Sequence, residues 1–221
     1  MELEQLDAKL PVRDIFARKI LDCRGNPTVE AEVLAGENIV GRASAPAGLI
    51  SADNAGSGIQ ECCHDKLAEM ADRMVENINT HIAQELVGKN VFDQEEIDRT
   101  MSRLDGTENI SVMGAGSVFS VSAAAANAAA AALGMPLYRY LGGVQAKQIP
   151  VPAVPVICGG PSDSSSSTGI REILVVPSDH DTLWKQLGNC GDIFRMLGKI
   201  SAVRDIPMTG TGGAIYPHCL I

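Results

Sequence analysis

The sequence lacks the features that mark a nucleic-acid-binding or membrane protein. Its 221 residues carry 18 Lys and Arg against 27 Asp and Glu, a formal net charge of −9, and no run of basic residues stands out. Proteins that bind polyanions usually present a basic patch. No apolar run approaches the roughly 20 residues of a membrane span, because the alanine-rich stretch from Ser122 is interrupted by Asn127 and ends at Gly134. We therefore expect neither nucleic acid nor a membrane as a partner.

A secretion signal and a zinc motif are also missing. The amino-terminal stretch "MELEQLDAKLPVRD" does not have the basic segment followed by an apolar segment that marks a signal peptide, which predicts a cytoplasmic protein. The cysteines include no C-x-x-C pair and no histidine at the spacing of a zinc site. They are predicted to be reduced thiols, several of them buried: Cys23, Cys62, Cys63, Cys158, Cys190 and Cys219.

The first part of the chain reads as strands joined by tight turns. β-Branched residues with partial alternation predict strands over residues 14–22 and 28–35. In the second strand, every other residue from Val29 to Val33 is apolar and the residues between them are glutamates. The turn-forming stretches "CRGNP" and "GEN" separate these strands from each other and from a third, "IVGRASAP". The pattern predicts a three-stranded antiparallel meander.

Helical periodicity follows the predicted meander. Apolar residues recur at steps of three and four from residue 59 to residue 87, which indicates one long amphipathic helix or two joined end to end. Asp93 begins a capping-box pattern for a short helix that ends near Leu104. An alanine-rich helix is predicted over residues 114–133, in close approach to its neighbours. These elements are expected to close one core that includes Val29, Val33, Leu67, Met74, Ile78, Val118 and Leu133.

The second part of the chain has a different residue composition. Three prolines in "IPVPAVPVI", residues 149–157, argue against a central antiparallel strand and favour an edge strand or the first strand of a barrel. Residues 171–177 predict a second buried strand, and the segment after it predicts a helix broken at Gly188 and Gly191. This change in composition predicts a domain boundary near residues 140–148.

Four segments of the chain resemble, in the same order, the amino-terminal half of enolase, the glycolytic phosphopyruvate hydratase. The segments are "ARKILDCRGNPTVEAEV", "FDQEEIDRTMSRLDGT", "ALGMPLYRYLGG" and "IPVPAVPVICGG". The resemblance implies an α+β enolase-type N-terminal domain over residues 1–143, with a three-stranded meander and helices. It implies the first part of a β/α (TIM-type) barrel over residues 144–221. The implied reaction converts 2-phosphoglycerate to phosphoenolpyruvate and water, with a lysine base, two Mg²⁺ ions and an acid–base glutamate.

Two stretches that resemble parts of the enolase site carry different residues here. The family's mobile loop has a Ser-Gly-Ala-Ser-Thr-Gly pattern, and this chain reads "AGLISADNAG" at 47–56. Ile50 falls where the metal-contacting serine is expected, so Ser51, one position away, is the candidate metal contact. The family's histidine after a Gly-Gly pair is replaced by a segment in which Ser162 and Asp163 are the candidate substrate-binding residues. Asp163 is alternatively an ordinary solvated residue.

Two further candidate positions come from the same resemblance. Glu172 matches the glutamate of the family's Gln-Glu-Phe stretch, and its alternative role is an ion pair with Arg171 or Lys199. The segment "TGTGGAIYPH" resembles the family's Gly-Asp-Glu-Gly-Gly strand, which supplies the proton donor. Gly210 and Thr211 occupy the acidic positions, and a threonine hydroxyl does not deliver a proton near neutral pH.

These features predict an enolase-family protein that is inactive as this isolated chain. The family's metal carboxylates and base lysine lie on later barrel strands, and the sequence reaches Ile221 before them. Mg²⁺ is accordingly not expected to bind tightly, and 2-phosphoglycerate or phosphoenolpyruvate is a ligand by resemblance only. A homodimer or an enolase-subunit partner is possible. The alternatives are a noncatalytic module that pairs with a full-length enolase or with a chain supplying the rest of the barrel, and the remnant of a disrupted gene.

Overall fold

The protein is described by a computed structural model in which the chain divides into two compact units, Met1–Ala146 and Lys147–Ile221. The first unit holds a three-stranded sheet with its helices, and the second holds a four-stranded sheet with one long helix. The residues that the structure describes are 9–22, 25–47, 64–158, 172–178, 182–203, 208–211 and 214–217.

The sheet of the first unit is the predicted antiparallel meander. Strands β1 (Val12–Leu21), β2 (Pro27–Ala35) and β3 (Ile39–Ser44) lie in that order, with β2 in the middle. The predicted alternation is confirmed, since Val29 and Val33 are fully buried while the glutamates between them lie on the other face. Burial of one face fixes the register, because a slip of one residue would turn every valine of β2 toward solvent.

The long helical segment is continuous from its first described residue. It consists of α1 (His64–Glu76), a π-helical segment (Asn77–Ile82) and α2 (Ala83–Leu86), and the predicted start at residues 59–63 lies outside the described residues. Ile78 and Ile82 are fully buried. The prediction of one long helix or two helices joined end to end is thereby refined, because a π-helical segment connects α1 to α2.

The next helix, α3 (Gln94–Asp105), begins as its capping pattern predicts. The side chain of Asp93 accepts a hydrogen bond from the backbone N–H of Glu96 at 3.0 Å, so one of the free N–H groups of the first turn is satisfied. The helix ends at Gly106, which has a φ of 71°. A left-handed residue at this position is the usual way to close a helix, and glycine adopts it without steric strain.

Helix α4 (Ala115–Ala132) packs across β2 and β3. Its small side chains allow a close approach: a Cβ atom on Gly41 of β3 would lie 2.1 Å from the carbonyl oxygen of Ala124 and 2.2 Å from the nitrogen of Ala128. Among the described helices, α4 is the one whose length and composition would suit a membrane span, and 61% of that window is buried inside the protein. The alanine-rich face is therefore accounted for by packing against the sheet.

Most of the predicted core is confirmed, with two differences. Leu133 is 50% exposed because it follows the last turn of α4, where the chain leaves the sheet toward α5 (Leu137–Gly142). Val118 is only partly buried and packs against the core from its margin. The predicted core residues that are buried are Val29, Val33, Leu67, Met74 and Ile78.

The sheet of the second unit mixes parallel and antiparallel pairs. It contains β4 (Val154–Cys158), β5 (Glu172–Val175), β6 (Met208–Thr211) and β7 (Ala214–Pro217) in the order β5-β4-β7-β6. The pair β4–β7 is parallel, and the other two pairs are antiparallel. Neighbouring strands of a β/α barrel are parallel, so this sheet does not establish a barrel, and the barrel stays a prediction.

Of the two structures predicted for residues 149–157, the edge strand is wrong, and the first strand of a barrel stays a prediction. β4 lies between β5 and β7, and its residues before Val154 are not in a strand. Two features reconcile Pro155 with this interior position. The β4–β5 register is irregular between Pro155 and Ile157, and β7 pairs with β4 at Ile157. A proline without a ladder N–H is tolerated at such an irregularity.

The predicted breaks in the last helix are also wrong. Helix α6 (Leu183–Val203) runs without interruption through Gly188 and Gly191. A glycine inside a helix costs about 1 kcal/mol relative to alanine, which weakens a helix but does not end one that packs against a neighbour. α6 contacts β4, and it buries Gln186 and Cys190.

Candidate functional site

The five site residues predicted from the sequence fall largely outside the described part of the chain. Ser51, Ser162 and Asp163 are not among the described residues, and the side chains of Glu172 and Thr211 are not described either. The backbone places the last two residues: Glu172 opens β5 opposite Cys158, and Thr211 closes β6 opposite Ala214. Their roles therefore stay predictions, and only their positions in the sheet are known.

Glu172 and Thr211 lie on opposite edges of the second sheet. Two strands, β4 and β7, separate β5 from β6. At a strand spacing of roughly 4.8 Å, three spacings give about 14 Å across the sheet. The fold does not place the retained carboxylate position and the proton-donor position on neighbouring strands.

Ser162 and Asp163 belong to the connection between β4 and β5. The two strands are joined by residues 159–171, and the Cα partners at this end of the pair are Cys158 and Glu172. These residues lie outside the described part of the chain, so the substrate-binding role of Ser162 and Asp163 stays a prediction.

The last described residues before Ser51 are held by hydrogen bonds at the end of β3. The hydroxyl of Thr28 donates a buried hydrogen bond to the carbonyl oxygen of Ala45 at 2.7 Å, and the N–H of Ala45 donates to the carbonyl oxygen of Val29 at 3.0 Å. Gly116 of α4 leaves room beside this point, since a Cβ there would lie 2.5 Å from the sulfur of Met74. The chain is thus fixed where β3 ends.

A buried carboxylate organises the loop between α3 and α4. Asp105 accepts hydrogen bonds from the N–H groups of Val112 at 3.0 Å and Met113 at 2.6 Å, and from both the N–H and the hydroxyl of Thr107. Burial acts to raise the pKa of Asp105, but these hydrogen bonds outweigh burial and lower the pKa. Asp105 is therefore a charged structural anchor that holds residues 106–113 against the end of α3.

The π-helical segment places two asparagines that sequence reasoning missed. The side chain of Asn79 accepts a hydrogen bond from the N–H of Ala17 at 2.7 Å and donates one to the carbonyl oxygen of Ala17 at 3.2 Å. These bonds satisfy both backbone groups of Ala17 in β1. Asn77 donates to the carbonyl oxygen of Met113 at 3.0 Å. The spacing of apolar residues predicts neither contact, because a π-helical turn has no repeating sequence pattern of its own.

The outer face of the first sheet carries a network of ion pairs. Arg18 and Arg42 flank the two glutamates of β2, with 2.6 Å from each arginine to Oε1 of Glu32, and both also pair with Glu30. The hydrogen bond from Arg18 is the largest influence on Glu32, and with the arginine charges it lowers the pKa of Glu32 against the opposing effect of burial. The two arginines thus pair with the two glutamates of β2 across the three strands.

A metal ion would need several donor side chains close together. Within that part of the chain, no three His, Cys, Asp or Glu side chains lie close enough together to hold a metal ion. Asp105 does not fit such a role, because its oxygens already accept hydrogen bonds from the loop that it anchors. Ser51 and the side chain of Glu172 lie outside the described part of the chain, so the expectation that Mg²⁺ does not bind tightly stays a prediction.

A comparison with protein-family models gives one match, to the N-terminal domain of enolase, over residues 12–141. The match covers more than half of the chain. The chain belongs to the enolase family. The matched range takes in β1–β3, helices α1–α4 and nearly all of α5, so the enolase N-terminal domain is the three-stranded sheet with its helices. The predicted family membership is confirmed on this domain.

Proposed function

We propose that this protein derives from the phosphopyruvate hydratase lineage and works in the cytoplasm without turning over 2-phosphoglycerate on its own 221 residues. The observation that supports the proposal is the residue pair at the end of β6. Gly210 and Thr211 stand where the resemblance to enolase requires an acidic pair, and Thr211 lies at the edge of the sheet away from β5.

The chemistry of the implied reaction explains why these replacements matter. Removal of a proton beside a carboxylate develops two negative charges on the substrate, and metal ions and preorganised donors must stabilise them. Loss of the hydroxyl group then needs an acid that is protonated at neutral pH and positioned on the leaving oxygen. Glycine and threonine supply neither a carboxylate ligand nor such an acid, so these positions have lost their catalytic chemistry.

The proposal includes the expectation that the chain does not assemble the family's Mg²⁺-dependent substrate site, and binding of 2-phosphoglycerate tests this part independently of turnover. The experiment is a calorimetric titration of the chain with 2-phosphoglycerate in millimolar Mg²⁺, with a catalytically active enolase as the matched control. Mg²⁺ favours near-octahedral oxygen ligands, and we expect no saturable heat from this chain under conditions in which the control saturates. A one-site isotherm for this chain would contradict the proposal.

A second candidate function is a noncatalytic module that pairs with an enolase subunit or with a second copy of the same chain. The observation that favours it is the outer face of the first sheet. Phe16 and Val40 are 53% and 48% exposed on that face, beside the ion-pair network of Arg18 and Arg42. Exposed aromatic and arginine side chains are enriched in protein interfaces.

The pairing function is tested by co-purification with an enolase subunit. Replacing Arg18 and Arg42 together by Glu reverses the charge of the face and leaves the glutamates of β2 without partners, so binding should fall at least tenfold. The control is Arg99→Glu, because Arg99 lies on the exposed side of α3 and pairs only locally with Glu95. Equal binding by all three proteins would exclude this face as the docking surface.

A further inference from the structure

The amino-terminal end of α4 carries hydrogen-bond donors that the described residues do not use. Gly114, before the first turn, offers no side-chain cap, and the N–H groups of Ala115 and Gly116 have no partner among the described residues. The side chain of Ser117 is fully buried, and its hydroxyl makes no hydrogen bond. Buried polar groups normally have a partner. This end of the helix therefore presents several donors together and lacks an acceptor for them.

The thioether of Met74 lies beside these donors. A Cβ atom on Gly116 would lie 2.5 Å from the sulfur of Met74, so the sulfur lies directly against the first turn of α4. A Cβ atom on Gly114 would lie 3.8 Å from Cγ of Met74 and 3.8 Å from the hydroxyl oxygen of Ser117. Both are ordinary contact distances. There is consequently room for one more atom between the methionine side chain and the hydroxyl.

A neutral acceptor suits this place better than an anion. Asp105 accepts hydrogen bonds from the N–H groups of Val112 and Met113, just before Gly114, and its charge would repel a second negative charge nearby. The unpaired N–H groups at the start of a helix still favour a strong hydrogen-bond acceptor. A sulfoxide oxygen is neutral and strongly polar, and it forms by oxidation of a methionine such as Met74.

We propose that Met74 is a redox modification site whose sulfoxide oxygen is held by the start of α4 and the hydroxyl of Ser117. Hydrogen peroxide is the co-reactant. The sulfur lone pair attacks one peroxide oxygen, an S–O bond forms as the O–O bond breaks, and the other oxygen leaves as water with both protons. The sulfur is oxidised by two electrons and the peroxide is reduced. The inference does not depend on the proposed function.

The position of Met74 suits a modification that the fold retains. Its side chain is 9% exposed, at the margin of the core, whereas Met101 is fully buried. A sulfoxide in the middle of a core disrupts packing, because it buries a polar group without a partner. At Met74 the new oxygen meets donors that lack an acceptor. The first unit should therefore stay folded after this oxidation.

Peroxide treatment of the purified chain, followed by peptide mass mapping, tests the modification itself. Met196 is 55% exposed and shows that the oxidant has acted. We expect the peptide that contains Met74 to gain one oxygen atom after Met196 does and before Met101 does. A Met74 peptide that gains no oxygen when Met196 is fully oxidised would overturn the proposal.

A cycle of variants tests the role of Ser117. The unsubstituted chain, Met74→Leu, Ser117→Ala and the double variant are compared before and after peroxide. Before peroxide, Ser117→Ala removes a hydroxyl without a partner, so the first unit should be at least as stable. After peroxide, the same change removes a donor to the sulfoxide oxygen. The slowest amides of β2 and α4 should then exchange about fivefold faster than in the oxidised unsubstituted chain, the effect of one ordinary hydrogen bond.

Met74→Leu is the control for oxidation at every other residue. It nearly conserves the side-chain volume and removes the sulfur, so peroxide should not change the effect of Ser117→Ala in this background. If Ser117→Ala has the same effect before and after peroxide in the chain with Met74, the proposal is wrong. A peroxide-dependent effect that persists with Met74→Leu would also overturn it, because the oxidised group would then be another residue.

Discussion

The close contact between β3 and α4 makes Gly41→Ala the most sensitive substitution in the first unit. The new Cβ would lie 2.1 Å from the oxygen of Ala124 and 2.2 Å from the nitrogen of Ala128. Both neighbours are backbone atoms of a buried helix, so no side chain can rotate away. To reach ordinary contact distances, β3 and α4 must separate by about 1 Å, which disturbs the packing of the whole interface.

The expected loss follows from these contacts. Overpacking a core costs about 1–3 kcal/mol and occasionally more, and a clash with two fixed backbone atoms belongs at the upper end. Alanine also restricts the unfolded chain relative to glycine, which offsets about 0.4–1 kcal/mol. We expect the free energy of unfolding of the first unit to fall by about 3 kcal/mol, a large part of the roughly 5–15 kcal/mol of a typical domain.

Gly116→Ala is the matched control for Gly41→Ala. Its Cβ would meet the sulfur of Met74 at 2.5 Å, which is the far part of a flexible side chain, and alanine favours a helix over glycine by about 1 kcal/mol. We expect a change within about 1 kcal/mol. Hydrogen exchange of the slowest amides in peptides from β2 and α4 reports the unfolding of this unit alone. Equal stability of the two variants would refute the account of the β3–α4 contact.

Two further predictions concern a buried carboxylate and the glycines of α6. The pKa of Asp105 is lower in the folded protein than its ordinary value. The contribution of Asp105 to the stability of the fold is therefore fully present above its pKa in the unfolded chain, about 3.9, and is lost as the pH falls through its pKa in the folded protein. Asp105→Ala should lower the free energy of unfolding of the unit at pH 7 by about 3 kcal/mol and make its stability less dependent on pH in the acid range. Hydrogen exchange of residues 106–113 measures both effects. An unchanged dependence of stability on acid pH would contradict this prediction. A Cβ atom added at Gly188 or Gly198 would meet no atom within 4 Å, so each substitution to alanine should stabilise α6 by about 1 kcal/mol. The expected result is slower hydrogen exchange across the helix. Faster exchange would contradict the continuity of α6.

The meander and its helices could be predicted because their signals are local. The alternation from Val29 to Val33 marks the buried face of β2, and the Asp93 pattern marks the start of α3. Both depend on residues a few positions apart, and tertiary packing agrees with them. Three of the four segments quoted for the family resemblance lie in the same region.

The predictions failed where long-range packing outweighs local preference. Pro155 lies in an interior strand because β7 pairs with β4 at Ile157, which no local pattern reveals. Gly188 and Gly191 do not break α6, since contact with β4 supports the helix. The bonds of Asn79 to Ala17 join residues that are 62 positions apart, so their sequence neighbourhoods contain no signal of the contact.

The candidate site was less predictable than the fold. Resemblance to enolase predicts site roles for Glu172 and Thr211, and the backbone places them on opposite edges of one sheet. A motif match fixes which residue occupies a position, but it does not fix how the strands that carry the positions are arranged. The order of strands in the second sheet depends on pairings between distant segments.

The measurement that tests the central claim most directly is the Mg²⁺-dependent formation of phosphoenolpyruvate from 2-phosphoglycerate. It uses the purified 221-residue chain, expressed in a host whose own enolase has been removed and assayed at micromolar concentration. If Gly210 and Thr211 replace the acidic pair, as the resemblance to enolase implies, this replacement alone is expected to cost several powers of ten in rate. We predict no product above the background without protein, and turnover that scales with the concentration of the chain would contradict the account.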